Sequence, residues 1–202
     1  VRIRFTTDSL AAASSDIGAL GIGEVEDYDG LTIAGTDFGD AANTYLTTTA
    51  SGGASHQISA NIKLGTIGPD SETDGQPTAN ADGDDSTAGI GIDDEDGVAT
   101  FASMLASATS YSLTNVVVAN STGSSGNLRG WIDFDNSGTF DDDEASTVTS
   151  VADGTTTASP QTLTWSSIPT DTVAQSNAKV RIRFTTDSLA AASSDIGFKT
   201  DG

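Results

Sequence analysis

The sequence predicts an all-β protein, an antiparallel β-sandwich of about 8-9 short strands with long acidic metal-binding loops. Three observations carry this. Short runs alternate apolar and polar residues at a period of two, the pattern of a strand with one buried face. Clusters of Gly, Asn, Asp and Ser separate those runs, and these are turn formers. Helical patterning is thin: the Ala-rich stretches 9–14 and 101–108 suffice for a turn or two, short of the roughly 12 residues an isolated helix needs. With 202 residues and 36% apolar content, the chain can bury the core of one such domain and has no room for a second full one.

In chain order, Val1, Ile3 and Phe5 alternate with Arg2 and Arg4 and make the first strand candidate. Residues 24–33 make the next, and Ile58, Ala60, Ile62 and Leu64, alternating with Ser59, Asn61 and Lys63, make a third. Further strands are predicted over 98–101, 111–119, 128–134, 147–151, 161–165 and 180–185, with Trp131 and Trp165 filling the core. The acidic stretch 65–97 has few apolar residues and many turn formers, so its ordering calls for a ligand. If the first strand pairs antiparallel with residues 23–27 so that Val25 stands opposite Ile3, Arg4 lies across from Glu24 and Arg2 from Glu26, an ion-pair ladder. Asp27 then points inward and needs a backbone cap or a metal.

The first eighteen residues, VRIRFTTDSLAAASSDIG, return unchanged at 180–197, 179 positions later. A period far beyond the roughly 20–50 residues of solenoid repeats belongs to whole domains in tandem. Residues 1–35 are therefore expected to be the C-terminal strands of one repeat, the VRIRF and GEVEDY segments, and 37–197 the next repeat of the sandwich. After the second occurrence the text changes from ALGIGEVEDYDG at 19–30 to FKTDG at 198–202, so that repeat is expected to lack its own GEVEDY strand, with 198–202 a tail. Its sheet would present an unpaired edge, a template for strand addition. The leading strands are expected to dock on a domain core, their own chain's or a neighbour's, and the short junction 34–36 favours the neighbour. Such contacts repeated head to tail build a fibre.

The formal charge of -21, from 29 acidic and 8 basic side chains, removes the counterion-release force that binds nucleic acid and makes a divalent cation the first partner to look for. Cysteine is absent, which rules out disulfides, thiolate zinc sites and thiol nucleophiles. No apolar run approaches the roughly 18 residues of a membrane span. Abundant Thr, Ser, Gly and Asp with little Lys is the composition of secreted bacterial repeat proteins, so an extracellular location is expected. Catalytic patterns are weak. His56 is the single histidine, and the adjacent Ser55 sits in no G-x-S-x-G elbow. The glycines at 18, 21 and 23 make no dinucleotide fingerprint, and no lysine follows Gly83 to make a phosphate loop. Carboxylates suffice for a glycosidase pair, yet aromatics at 6% are few for a sugar platform.

The densest chemistry lies in residues 133–144. Read as a twelve-residue loop, it has Asp133 at position 1, Asp135 at 3, Ser137 at 5, Gly138 at the turn, Thr139 at 7, Asp141 at 9 and Glu144 at 12. Those are the oxygen positions of an EF-hand-type calcium loop, here following a strand. Calcium takes roughly six to eight hard oxygens, and alternate residues of a tight loop can aim them inward; Ser137 or Asp141 can act through water. The same residues also read as a metal-free Asn-Ser-Gly hairpin turn. A second acidic group, Asp70, Glu72, Asp74, Asp82, Asp84 and Asp85 followed by Asp93, Asp94, Glu95 and Asp96, reads equally as further metal sites or as a solvated loop.

GEVEDYDG at 23–30, DFGDAANTY at 37–45, GASH at 53–56, LGTIGPDSETDGQPTANADGDD at 64–85, DDEDGV at 93–98 and GWIDFDNSGTFDDDE at 130–144 resemble, in their order, the bacterial GEVED domain. Ala42 stands where a proline usually follows the GDA triplet. The resemblance implies a tandem-repeat module of large secreted or cell-surface adhesin-like proteins, with no catalysis. The expected function is a calcium-stabilised structural or adhesive repeat of a bacterial extracellular surface array or filament. Its expected partners are neighbouring repeats or identical chains, head to tail by strand addition, and a glycan or surface receptor. The alternative is a carbohydrate-binding module of a secreted enzyme; tandem identity favours the first, because multivalency needs copies.

Overall fold

A computed structural model describes residues 1–10, 18–31, 33–83, 94–191 and 196–202, which form two units, Val1–Ile33 and Ala34–Gly202. Most of the Ala-rich stretch 9–14 lies outside the described residues.

In the first unit, strand β1 (Arg2–Thr6) pairs antiparallel with β2 (Gly23–Asp27). The Val1 amino group donates to the Tyr28 carbonyl at 2.7 Å and the Tyr28 N–H to the Val1 carbonyl at 2.6 Å, while the Thr7 N–H reaches the Ile22 carbonyl at 3.3 Å. Alternate residues of an antiparallel strand aim both backbone groups at the same neighbour, so Val1, Ile3, Phe5 and Thr7 face β2. The register sets Arg2 opposite Asp27 and Arg4 opposite Val25, one residue away from the expected ladder with Glu26 and Glu24. Two local requirements explain this correction. Arg2 grips the Asp27 carboxylate with two bonds, 2.7 and 3.2 Å long, the bidentate geometry that suits guanidinium. Gly23 must stand where a Cβ would collide with the Phe5 carbonyl oxygen. Asp27 thus has a side-chain partner and needs neither cap nor metal. Arg4 donates to the Gly18 carbonyl at 2.9 Å. A one-residue slip exchanges faces, so Ile3 and Phe5 share theirs with Glu26 and Glu24 and stay exposed.

The second unit contains β3 (Thr36–Phe38), β4 (Ser55–Gln57), β5 (Ile62–Leu64), β6 (Tyr111–Val116), β7 (Val118–Asn120), β8 (Gly126–Ile132), β9 (Thr149–Val151), β10 (Gln161–Trp165), β11 (Val180–Thr185) and β12 (Phe198–Lys199). They make four small sheets, β3–β4–β12, β5–β7, β6–β10 and β9–β8–β11, antiparallel throughout except that β12 runs parallel to β4. Ile62, Leu113, Val118, Leu128, Leu163, Trp165 and Phe184 meet in one buried cluster, so the inner faces of β5 to β8, β10 and β11 pack against each other as a sandwich. Trp131 enters a second cluster with Tyr45, Phe140 and Ala41. Among the described residues helix is confined to single 3-10 turns, Asn43–Tyr45, Thr49–Ser51 and Asp142–Glu144, and the all-β expectation holds.

Differences from the sequence reading have local causes. The strand read over 111–119 is two strands: Asn115, at φ 64°, leaves the extended region, the register of β6 on β10 shifts there, and β7 pairs with β5 instead. Residues 98–101 make no strand, although Val98 packs on the core. Residues 101–108 make no helix. The second predicted strand shortens to β2, and the third to β5. Residues 198–202 are no loose tail, since β12 pairs with β4 and the Asp201 carboxylate accepts the Thr185 hydroxyl at 2.6 Å and the Thr186 N–H at 2.8 Å.

Candidate metal centre

Strand β8 ends by delivering Asp133 to the rim of the core, where the Asp133 N–H bonds the Lys179 carbonyl at 3.0 Å. The chain then turns through Asn136 at φ 59° and Gly138 at φ 85°, left-handed conformations that asparagine and glycine tolerate. The 3-10 turn Asp142–Glu144 brings Glu144 back beneath the loop, and the Trp165 indole holds it there by donating to the Glu144 carbonyl at 2.7 Å. This fold-back gathers carboxylate oxygens of Asp133, Asp135 and Glu144 within 4.8 Å of one another. Asp133 and Glu144 are fully buried and Asp135 is half-buried.

The donors around them are neutral. Asp133 accepts the Ser137 N–H at 3.0 Å, the Gly138 N–H at 3.1 Å and the Tyr45 hydroxyl at 2.5 Å. Asp135 accepts the Ser137 N–H at 2.9 Å. Glu144 accepts the Phe134 N–H at 2.6 Å and the Asp141 N–H at 2.9 Å. Burial pushes the Glu144 carboxyl up to about 7, and the charges of Asp133 and Asp135 push the same way against the two N–H bonds. The Ser137 N–H holds the Asp135 carboxyl below its usual range. Burial, then the bond to Asp133, raises the Tyr45 phenol. Three close carboxylates, two of them out of water and held by neutral donors, form a cluster that can hold a metal ion. An all-oxygen anionic donor set fits a hard cation.

Of the six loop positions singled out by spacing, Asp133, Asp135 and Glu144 converge. Ser137 and Thr139 are exposed, with their hydroxyls 3.1 Å apart, and Asp141 is exposed and meets Glu144 through its backbone N–H. Tyr45, 88 residues from Asp133, was not legible as a neighbour of the loop; its place in the DFGDAANTY segment was the only signal. In the second acidic group, Asp74 accepts the Thr49 N–H at 2.6 Å, Asp94 the Asp70 N–H at 3.0 Å, Asp96 the Thr66 N–H at 2.9 Å and Asp82 the Thr78 hydroxyl at 2.7 Å. Asp82, Asp94 and Asp96 cap donors of the described part of 65–97 itself, while Asp74 ties that stretch to the Thr49–Ser51 turn. Burial, with Asp70 next, pushes the Glu72 carboxyl up to about 9. Asp84, Asp85 and Asp93 lie outside the described residues.

The family model described as GEVED domain matches residues 127–202, the segment that holds β8, the acidic loop and β11. The resemblance carried by the sequence motifs is thereby shown for that segment. No curated protein and no solved structure matches the chain.

Proposed function

We propose, on the premise that residues 127–202 are a GEVED domain, that this chain is a calcium-stabilised structural or adhesive repeat of a bacterial extracellular array or filament, without catalysis. The observation that carries the reading is the convergence of Asp133, Asp135 and Glu144 beneath a loop with EF-hand spacing. Those three residues would hold the cation, which when bound neutralises buried charge and ties the end of β8 to the Asp142–Glu144 turn. The exact return of eighteen residues supports a repeated module, and the charge of -21 supports a cation-rich setting. His56 supports the non-enzymatic side: its Nε2 accepts the Arg183 Nε–H at 2.9 Å and its Nδ1 lies 2.7 Å from the Asp201 carbonyl, so both ring nitrogens are engaged. The carbohydrate-module alternative has less support, because Trp131 and Trp165 are both buried.

Ligand binding to the folded state adds RT ln(1 + [L]/Kd) to stability, so melting with calcium against a chelator tests the reading. The expected result is a higher Tm in calcium that Asp135→Ala reduces. Superimposable curves with and without calcium would overturn it.

A further inference from the structure

The eighteen identical residues have different neighbours at their two positions, and the two sets are complementary. In the first copy the edge carrying the backbone groups of Val1, Ile3, Phe5 and Thr7 is bonded to β2. In the second copy the Lys179 carbonyl accepts the Asp133 N–H, so the alternate edge, Lys179, Arg181, Arg183 and Thr185, faces β8. The edge of Val180, Ile182 and Phe184 points away from β8. It is the counterpart of the one that β2 covers in the first copy, and no described strand pairs with it.

Alongside β11 runs a groove of about 1070 Å³, walled in part by Leu64, Val98, Phe101 and Met104. Four of the chain's eight basic side chains, Lys63, Lys179, Arg181 and Arg183, line it, against three carboxylates, Asp37, Asp94 and Glu95. Arg181 and Arg183 are buried and already donate to carbonyls on the other face of β11, those of Tyr45, Ser55, Ile196 and Gly197, so it is the identity of β11 with β1 that matches this edge to β2.

We infer that this edge is the docking site for the strand GEVED, β2, of a second copy of the chain, which leaves β1 and adds to β11. The β1–β2 register, carried over by sequence identity, sets Asp27 opposite Arg181, Glu26 opposite Ile182, Val25 opposite Arg183, Glu24 opposite Phe184 and Gly23 opposite Thr185. Glu24 and Glu26 then share the face of Phe184 and Ile182 toward the groove, whose lining includes Lys63. In its hairpin all five residues of β2 are exposed, and an isolated two-stranded hairpin is marginal in water. On β11 the same ladder forms on a strand already backed by β8 and β9, so exchange keeps the bonds and adds burial. At the far end the Asp201 carboxylate takes the Thr186 N–H, whose counterpart at Thr7 goes to the Ile22 carbonyl. The incoming strand therefore meets β11 as far as Gly23 opposite Thr185 and ends there. This deepens the array reading, on which it rests for the repeated partner, and it does not involve the metal.

The absence of cysteine allows a direct test. Chains carrying Ile182→Cys are mixed with chains carrying Glu26→Cys under mild oxidation, in calcium and in chelator. Covalent heterodimers are expected, with about tenfold fewer when Val180→Cys replaces Ile182→Cys, because that pair is out of register. A labelled peptide of residues 21–30 is expected to bind the unsubstituted chain and to compete with cross-linking, a readout that survives if a cysteine variant misfolds. No heterodimer together with no peptide binding would sink the proposal. So would closure of the bond within single chains of the double variant at high dilution, which shows return of a chain's own strand. Cross-linking that persists while calcium leaves Tm unchanged would fault the metal reading alone; calcium stabilisation without cross-linking or peptide binding would fault strand docking alone.

Discussion

Residues 1–7 and 180–186 are the same seven letters in two surroundings. Phe5 is 78% exposed, and Phe184, its counterpart, is 3% exposed in the main core. Arg4 donates to the Gly18 carbonyl in a half-exposed position, whereas Arg183 is buried and donates to the carbonyls of Ser55, Ile196 and Gly197 and to His56. Arg2 pairs with Asp27 in solvent, while Arg181 is buried over the Phe140 ring at 5.1 Å and donates to the Tyr45 carbonyl at 2.8 Å. Both copies are strands, so local pattern decides conformation. Energetic weight comes from what the rest of the chain brings to each face.

The sharpest way to break this comparison is to cut the same side chain twice. Phe184→Ala empties a core position and should cost about 3–5 kcal/mol, whereas Phe5→Ala should stay within about 0.5 kcal/mol. Urea unfolding of the two variants measures the gap, and equal costs would contradict the burial difference.

Next in size is a pH effect that only the second copy can show. Burial pushes the His56 imidazole down to about 4, with the Arg183 charge acting in the same direction. An ordinary imidazole titrates near 6.5, so as pH falls the unfolded chain takes up this proton before the folded one does. Stability from this group is present above about 6.5, is lost between about 6.5 and about 4, and levels off below, for a total of at most about 3 kcal/mol. His56→Gln should remove that part of the slope; melts across the range, taken as the difference from the parent, would refute the assignment if the slopes coincide.

Arg183→Met tests the buried polar face. It should cost about 2–3 kcal/mol, because carbonyls of Ser55, Ile196 and Gly197 lose a charged donor. Arg4→Met should leave the melt unchanged. The smallest effect belongs to the exposed pair in the hairpin: Asp27→Asn should leave Tm where it is and speed only the amide exchange of β1 and β2, and slower exchange there would show that the carboxylate opposes pairing.

Much of this was legible along the chain. β10 and β11 fall on the residues where alternation placed them, since period-2 patterning reports a buried face directly. β3, β4 and β12 were not, because runs of two or three residues have no measurable period. Spacing found Asp133, Asp135 and Glu144, but the burial of two of them and the Tyr45 hydroxyl on Asp133 depend on chain segments far away in sequence. The GEVED register was misread by one residue, because facing charges suggested Glu24 and Glu26 as arginine partners while backbone closeness at Gly23 and the two-bond grip of Arg2 selected Asp27.

By itself the sequence determined the all-β character, the exact return of eighteen residues, the acidic loop and the absence of thiol chemistry, because these follow from residue type and short-range spacing. Tertiary structure alone decided which copy of VRIRF is buried, which edge of β11 faces β8 and which three carboxylates of the loop converge. The physical reason is that hydrogen-bond parity and side-chain alternation are local properties of a strand, while burial, charge neighbours and the filling of an edge are set by the segments packed against it.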